Sequence, residues 1–180
     1  MNHIEHLWNG WRSDYVSDSG HNRTSESPAN TSVFTELLTS GLSDLETFIV
    51  HRSSTCFVVM NAFPYSTGHV LVVPYREVAF LDDLNDDETF DLWTVVRRAV
   101  NVLRTEFRPE GVNVGLNLGR AAGGSIAQHL HVHVVPRWTG DSNFMTAIAT
   151  TRTLPEALDV SADRVRNGWS KLGDTPSVRS

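Results

Sequence analysis

The chain has 180 residues, 40% of them hydrophobic and 20% charged, with a formal net charge of −6 at pH 7. That length suits one domain with a full core rather than two, and the acidic balance argues against a general nucleic-acid or anionic-membrane surface. A single cysteine, Cys56, rules out an internal disulfide and a cysteine-rich zinc site, and no stretch has the apolar length of a membrane span.

The start, "MNHIEHLWNGW", lacks the basic-then-apolar pattern of a signal peptide, so a cytoplasmic protein is expected. Trp8, Trp11 and Tyr15 make an aromatic arm too short to fold alone, which predicts docking onto the body or a neighbouring subunit. The polar "SDSGHNRTSESPANTS", residues 17–32, reads as a loop or tether. From Phe48 the pattern turns strand-like: "TFIVH" and "CFVVMNAF" flank the polar "RSST" as a hairpin, and "HVLVVPY" follows the turn residues "PYSTG".

The period then changes. Leu92, Val96, Val100, Leu103 and Phe107 form one apolar helical stripe. Asn85 with Glu88 supplies a capping-box start, and Pro109 with Gly111 an end. "GVNVGLNLG" and "HLHVHVVPR" return to alternation, joined by the glycine-rich "GRAAGGSIA". The last stretch is a helix, with Leu158, Val165, Trp169 and Leu172 on one side. Strands, a long helix, strands and a terminal helix predict an α+β domain with a mainly antiparallel five-stranded sheet. The expected division is an arm and loop over 1–44, a domain over 45–150, and a C-terminal helix and tail over 151–180.

In "QHLHVHVVPRW", residues 128–138, three histidines occupy every second position. On a strand, residues two apart share a face roughly 6.5–7 Å apart, so His129, His131 and His133 line one side. Leu130, Val132 and Val134 pack into the other. Three readings of the row compete. It is a solvent-facing or core-satisfied imidazole row, or part of a metal site needing ligands from elsewhere, or a nucleophile row in which the middle imidazole attacks phosphorus. The upstream "NLGRAAGGSIAQ" favours the last, because Gly119, Gly123 and Gly124 let backbone N–H groups approach a phosphate and Ser125 adds a hydroxyl.

"HLHVHVV" fits the signature of the histidine-triad superfamily, and the chain resembles that family over roughly residues 45–150. "VVMNAFPYSTGHVLVVPYR" looks like the family's strand pair and "GLNLGRAAGGS" like its phosphate loop. "LW..WR..Y" near the start and "PRWTGDSNFM" after the triad resemble the actinobacterial diadenosine tetraphosphate phosphorylases. The resemblance implies that His131 attacks the α-phosphorus to form a nucleotidyl-histidine, while His129 and His133 bind phosphate oxygens. The backbone carbonyl of a nearby residue, or the imidazole of His69 behind the row, would orient the triad. Asn61 would hold the ribose, and Asn117, Gly124, Ser125 and Trp138 would contact phosphate. On the residues alone, Asn61 also reads as a turn former, His69 as an imidazole bonded to a neighbouring carbonyl, and Trp138 as a packing residue.

Many relatives carry a zinc-binding cysteine pair near the start; "TSESPANTSVFTELL" has none, so no structural zinc is expected. The implied reaction is phosphorolysis of diadenosine tetraphosphate to ADP and ATP. The alternatives are a hydrolase of dinucleoside polyphosphates or nucleoside phosphoramidates releasing AMP, and a non-catalytic nucleotide-binding module. No cofactor is expected to be required; Mg²⁺ can accompany the polyphosphate substrate and neutralise its charge. The expected partners are the nucleotide and inorganic phosphate, with no nucleic acid or membrane, in a homodimer or homotetramer.

Overall fold

The computed structural model describes residues 31–123, 126–141 and 156–173. The aromatic arm with Trp8, Trp11 and Tyr15, nearly all of the polar loop, Gly124 and Ser125 lie outside them.

Two short helices come first, α1 (Val33–Thr39) and α2 (Asp44–Thr47). Strands β1 (Ile49–Arg52), β2 (Cys56–Met60) and β3 (Val70–Pro74) follow, then the long helix α3 (Asp86–Phe107), β4 (Gly111–Gly115), β5 (Val132–Arg137) and α4 (Leu158–Leu172). The sheet is five-stranded in the order β1-β2-β3-β5-β4, and every neighbouring pair is antiparallel. The α+β expectation holds. Among the described residues, no helix is long and apolar enough to cross a membrane.

The elements form where local chemistry favours them. Asn85 and Glu88 close the capping box at the start of α3: each side chain takes the other's backbone N–H at 2.9 Å. Arg108 ends the helix in the left-handed conformation, φ 49°, before Pro109. The buried stripe of α3 runs through Leu92, Val95, Val96, Ala99, Val102, Leu103 and Phe107, whereas Val100 is only half-buried. On α4, Leu158, Val165 and Trp169 are buried as expected, and Leu172 is half-buried. A Cβ at Gly168 would stand 2.6 Å from Val102 Cγ1, so only glycine permits this approach of α4 to α3.

Strands β2 and β3 are buried on both faces. One face packs against α3. The other carries a cluster of Phe34, Leu37, Ile49, Phe57, Val59, Leu71 and Val73, so α1 closes this side of the sheet with its own Phe34 and Leu37. Helix α1 lies in the stretch that sequence assigned to arm and loop, and it packs within a compact unit that includes Ser32–Asp141. Its two buried apolar residues are too few to show a helical period.

Strand β5 also starts later than the alternation implies. His129 and His131 precede it, and only His133 lies inside it. The chain bends at His129, ahead of the strand.

Candidate active site

Cross-strand pairing sets the face on which the histidines stand. His133 pairs with Leu71, and paired residues share a face, so His133 lies on the side closed by α1, opposite α3. The spacers Leu130, Val132 and Val134 are buried, as the alternation required. The rings of His131 and His133 meet edge to face at 5.0 Å between centroids, and Phe34 packs against both His129 and His131 at 5.4 and 5.3 Å.

Each imidazole has a determined role because its neighbours have only one way to bond. His131 Nδ1 lies 2.8 Å from the carbonyl oxygen of His129. A carbonyl can only accept, so the proton of His131 sits on Nδ1 and the Nε2 lone pair is free. Burial lowers the His131 pKa below the ordinary histidine value, which keeps the ring neutral and nucleophilic.

His133 is set by a relay. The backbone N–H of Tyr65 donates to His69 Nδ1 at 3.0 Å, so the His69 proton is on Nε2 and points at His133 Nδ1, 3.0 Å away. His133 therefore carries its own proton on Nε2. That nitrogen is buried and is one of three buried side-chain polar atoms, among the described residues, with no hydrogen-bond partner. An unpaired buried donor costs free energy unless something accepts from it. The ring that carries it stands beside the His131 ring. Burial, with the neighbouring His131, pushes the His133 pKa down to about 4.

His129 differs. Its ring is fully buried, Nε2 lies 2.9 Å from the carbonyl of Pro74, and Nδ1 lies 2.5 Å from Ser32 Oγ. Both nitrogens are engaged, so this ring has none left for the phosphate oxygen expected of it. Its contribution to the site is the backbone carbonyl that holds His131, which matches the carbonyl orientation anticipated for the triad.

The other expected residues divide. His69 reaches the triad, bonding an imidazole rather than a carbonyl. Asn61 forms a turn, its Oδ1 accepting the Phe63 N–H at 2.9 Å, and its Nδ2 lies 3.3 Å from His69 Nδ1. Gly115 pairs with His133, so the chain leaving β4 carries half-buried Asn117 toward the end of the sheet where His131 sits. Trp138 follows the opposite end of β5, five residues beyond His133, about 17 Å along a strand. Within one chain it is not brought to the nucleophile, and its backbone N–H donates to Asp141 at 3.1 Å. Gly119 and Gly123 take positive φ, 78° and 90°, around a single 3₁₀ turn, a conformation their lack of a Cβ permits.

Sequence reasoning missed Ser32, Thr35, Glu77 and Tyr65. Ser32 has a local signal, a helix N-cap ahead of an apolar pair. Nothing local announces its bond to a residue 97 positions away. Among the described residues, no group of three or more histidine, cysteine, aspartate or glutamate side chains is arranged to hold a metal ion.

A sheet that presents a buried, neutral imidazole with a free Nε2 beside a second, proton-bearing imidazole has the layout of a histidine-triad site. The HIT domain family matches residues 43–140, and this chain belongs to that family. Among relatives, it is 42% identical to the AP-4-A phosphorylase of Mycobacterium tuberculosis over 93% of this chain and 86% of that protein. It is 37% identical to the asymmetrical bis(5'-nucleosyl)-tetraphosphatase of Schizosaccharomyces pombe, over 52% of this chain and 50% of that one. A Zn-bound histidine triad family protein from Mycobacterium smegmatis has the same fold, with a TM-score of 0.65, 24% identity, and 79% and 95% of the two chains covered.

Proposed function

We propose that this chain is a nucleotidyltransferase that cleaves diadenosine tetraphosphate with inorganic phosphate, yielding ATP and ADP. The observation that carries the reading is the Nδ1–H of His131 on the His129 carbonyl, which leaves Nε2 unprotonated. The likeness to the mycobacterial AP-4-A phosphorylase, which spans nearly the whole chain, supports the choice of substrate.

In the first step His131 Nε2 attacks an α-phosphorus. The P–Nε2 bond forms, the bond from phosphorus to the bridging oxygen breaks, and ATP leaves with that electron pair. The His133 Nε2–H donates to a non-bridging oxygen and stabilises the charge that builds there. In the second step inorganic phosphate attacks the same phosphorus, the P–N bond breaks, ADP departs, and His131 recovers its lone pair. Both leaving groups are stabilised, so alignment and charge stabilisation carry most of the catalysis. Mg²⁺ enters with the polyphosphate as its counter-ion rather than as a resident metal.

In this reading Asn61 contacts the ribose, and Asn117, Gly124 and Ser125 supply the anion site for the incoming phosphate. Trp138 joins that site only from a neighbouring copy in a homodimer or homotetramer. A cytoplasmic setting suits the single free, buried Cys56.

Chromatography of the products tests the reaction. The reading expects ATP and ADP, with turnover rising as phosphate is added. ATP and AMP formed without any phosphate requirement would overturn phosphorolysis and make the chain a hydrolase. No turnover on any dinucleotide, with nucleotide still bound, would make it a binding module.

A further inference from the structure

Resting on that reading of the reaction, we propose that Ser32, Thr35 and Glu77 are positioning residues for the nucleophile. They form a hydrogen-bonded array that locks the His129 ring and, through the His129 carbonyl, fixes the proton of His131.

The proton assignments close from one end to the other. The Pro74 carbonyl accepts, so His129 Nε2 carries the hydrogen of the 2.9 Å contact. Burial, the largest influence on that ring, lowers its pKa and keeps it neutral, so Nδ1 is an acceptor. The Ser32 hydroxyl, 2.5 Å away, donates to it. Thr35 Oγ1, the other neighbour of that hydroxyl at 3.1 Å, gives its own proton to Glu77 Oε2 at 2.6 Å. The same carboxylate oxygen accepts the Ser32 backbone N–H at 3.1 Å, while the Thr35 N–H donates to Ser32 Oγ at 3.2 Å. Glu77 thus holds both residues, and the only proton Ser32 can release points at His129.

The contact at the centre of the array is sealed, while Thr35 and Glu77 at its outer end are half-buried. Ser32 and His129 are both 0% exposed, so solvent has no room to replace either partner. It is also short: the ring it fixes belongs to the residue whose carbonyl holds His131 Nδ1 at 2.8 Å. If the ring turns, the peptide that orients the nucleophile turns with it. Ser32 and Thr35 lie before residues 43–140, so the first turn of α1, outside the matched domain, supports the catalytic imidazole.

The test compares Ser32→Ala, Ser32→Thr and Thr35→Val in the full chain. The readouts are kcat and KM on diadenosine tetraphosphate with phosphate, and imidazole ¹⁵N shifts in the free protein. Ser32→Ala is expected to lower kcat about tenfold or more while KM stays within about twofold, the pattern of a lost orienting group. Its ¹⁵N spectrum is expected to show His131 no longer confined to the Nδ1–H tautomer. Ser32→Thr keeps the hydroxyl and restores both. Should Ser32→Ala fail to fold, Thr35→Val is read the same way, because it keeps the Thr35 N–H that completes the cap. Unchanged kcat and unchanged His131 tautomer in the alanine variant overturn the inference, as does a loss that threonine does not restore. If the unmodified chain turns over no dinucleotide, the proposed reaction fails, and the ¹⁵N shifts of His129 and His131 still decide the positioning role.

Discussion

The Nδ1 of His131 and the carbonyl oxygen of His129 lie 2.8 Å apart, and this contact decides which end of the central imidazole can do chemistry. A ring held that way presents an unprotonated Nε2, whereas a ring held at Nε2 would present the other nitrogen to a different part of the site.

Replacing His131 with asparagine removes the nucleophile and preserves a polar side chain of lesser volume. Turnover should fall by at least about a thousandfold, while the dissociation constant for a non-cleaved nucleotide analogue, measured by calorimetry, stays within a few-fold. Weakened binding that matches the loss of turnover would point to a substrate-holding role instead.

His69 specifies the proton of His133 through the 3.0 Å contact between their rings. His69→Phe keeps a ring in the buried space but removes the donor, leaving His133 free to take either tautomer. We expect kcat to drop about tenfold or more with little change in KM, since the lost donor serves the transition state. Steady-state kinetics checks this, and equal kcat in the two proteins contradicts the relay.

The buried histidines also set a pH dependence. His133 has a folded pKa of about 4, below the ordinary histidine value, so the unfolded chain binds more protons between them. Stability contributed by this group is complete above the unfolded pKa and is lost as pH falls from there toward about 4. Burial lowers His131 in the same direction, so the acid limb of kcat/KM should lie below pH 6.5, the ordinary histidine pKa. Chemical denaturation and initial rates across the acid range measure both. Stability that rises on acidification through that window would contradict the assignment.

Away from the site, Asp91 on α3 ties the β1–β2 turn to the helix. Its carboxylate accepts from Ser53 Oγ at 2.7 Å, Thr55 Oγ1 at 2.8 Å and the Thr55 N–H at 2.9 Å. Asp91→Ala should cost about 2 kcal/mol or more in urea unfolding, because hydrogen bonds to a charged acceptor are lost together. The kcat should hold, since the hydrogen bonds lost join Asp91 to Ser53, Ser54, Thr55 and Cys56 and to none of the histidines.

What the sequence revealed follows from where each signal resides. The capping box at Asn85 and Glu88 and the β-branched and aromatic runs of β2 and β3 are local patterns, and they placed α3 and the inner strands correctly. The triad was legible for the same reason, with Leu130, Val132 and Val134 buried behind it. The role of His129 was not, because its partners Ser32 and Pro74 are distant in the chain and bond to it only once the sheet has formed. Helix α1 was hidden by its length, with Phe34 and Leu37 its only buried residues. The placement of Trp138 needed the β4–β5 register, which puts Arg137 opposite Gly111, away from the nucleophile.

The central claim is that Nε2 of His131 bonds to phosphorus during turnover. Rapid quench of the enzyme with diadenosine tetraphosphate in the absence of phosphate, followed by mass spectrometry of the peptide containing residues 129–137, tests it directly. The account predicts an adenylyl group on His131 that disappears, with formation of ADP, when phosphate is added before the quench. Sustained turnover with that peptide unmodified, and undiminished in His131→Asn, would contradict it.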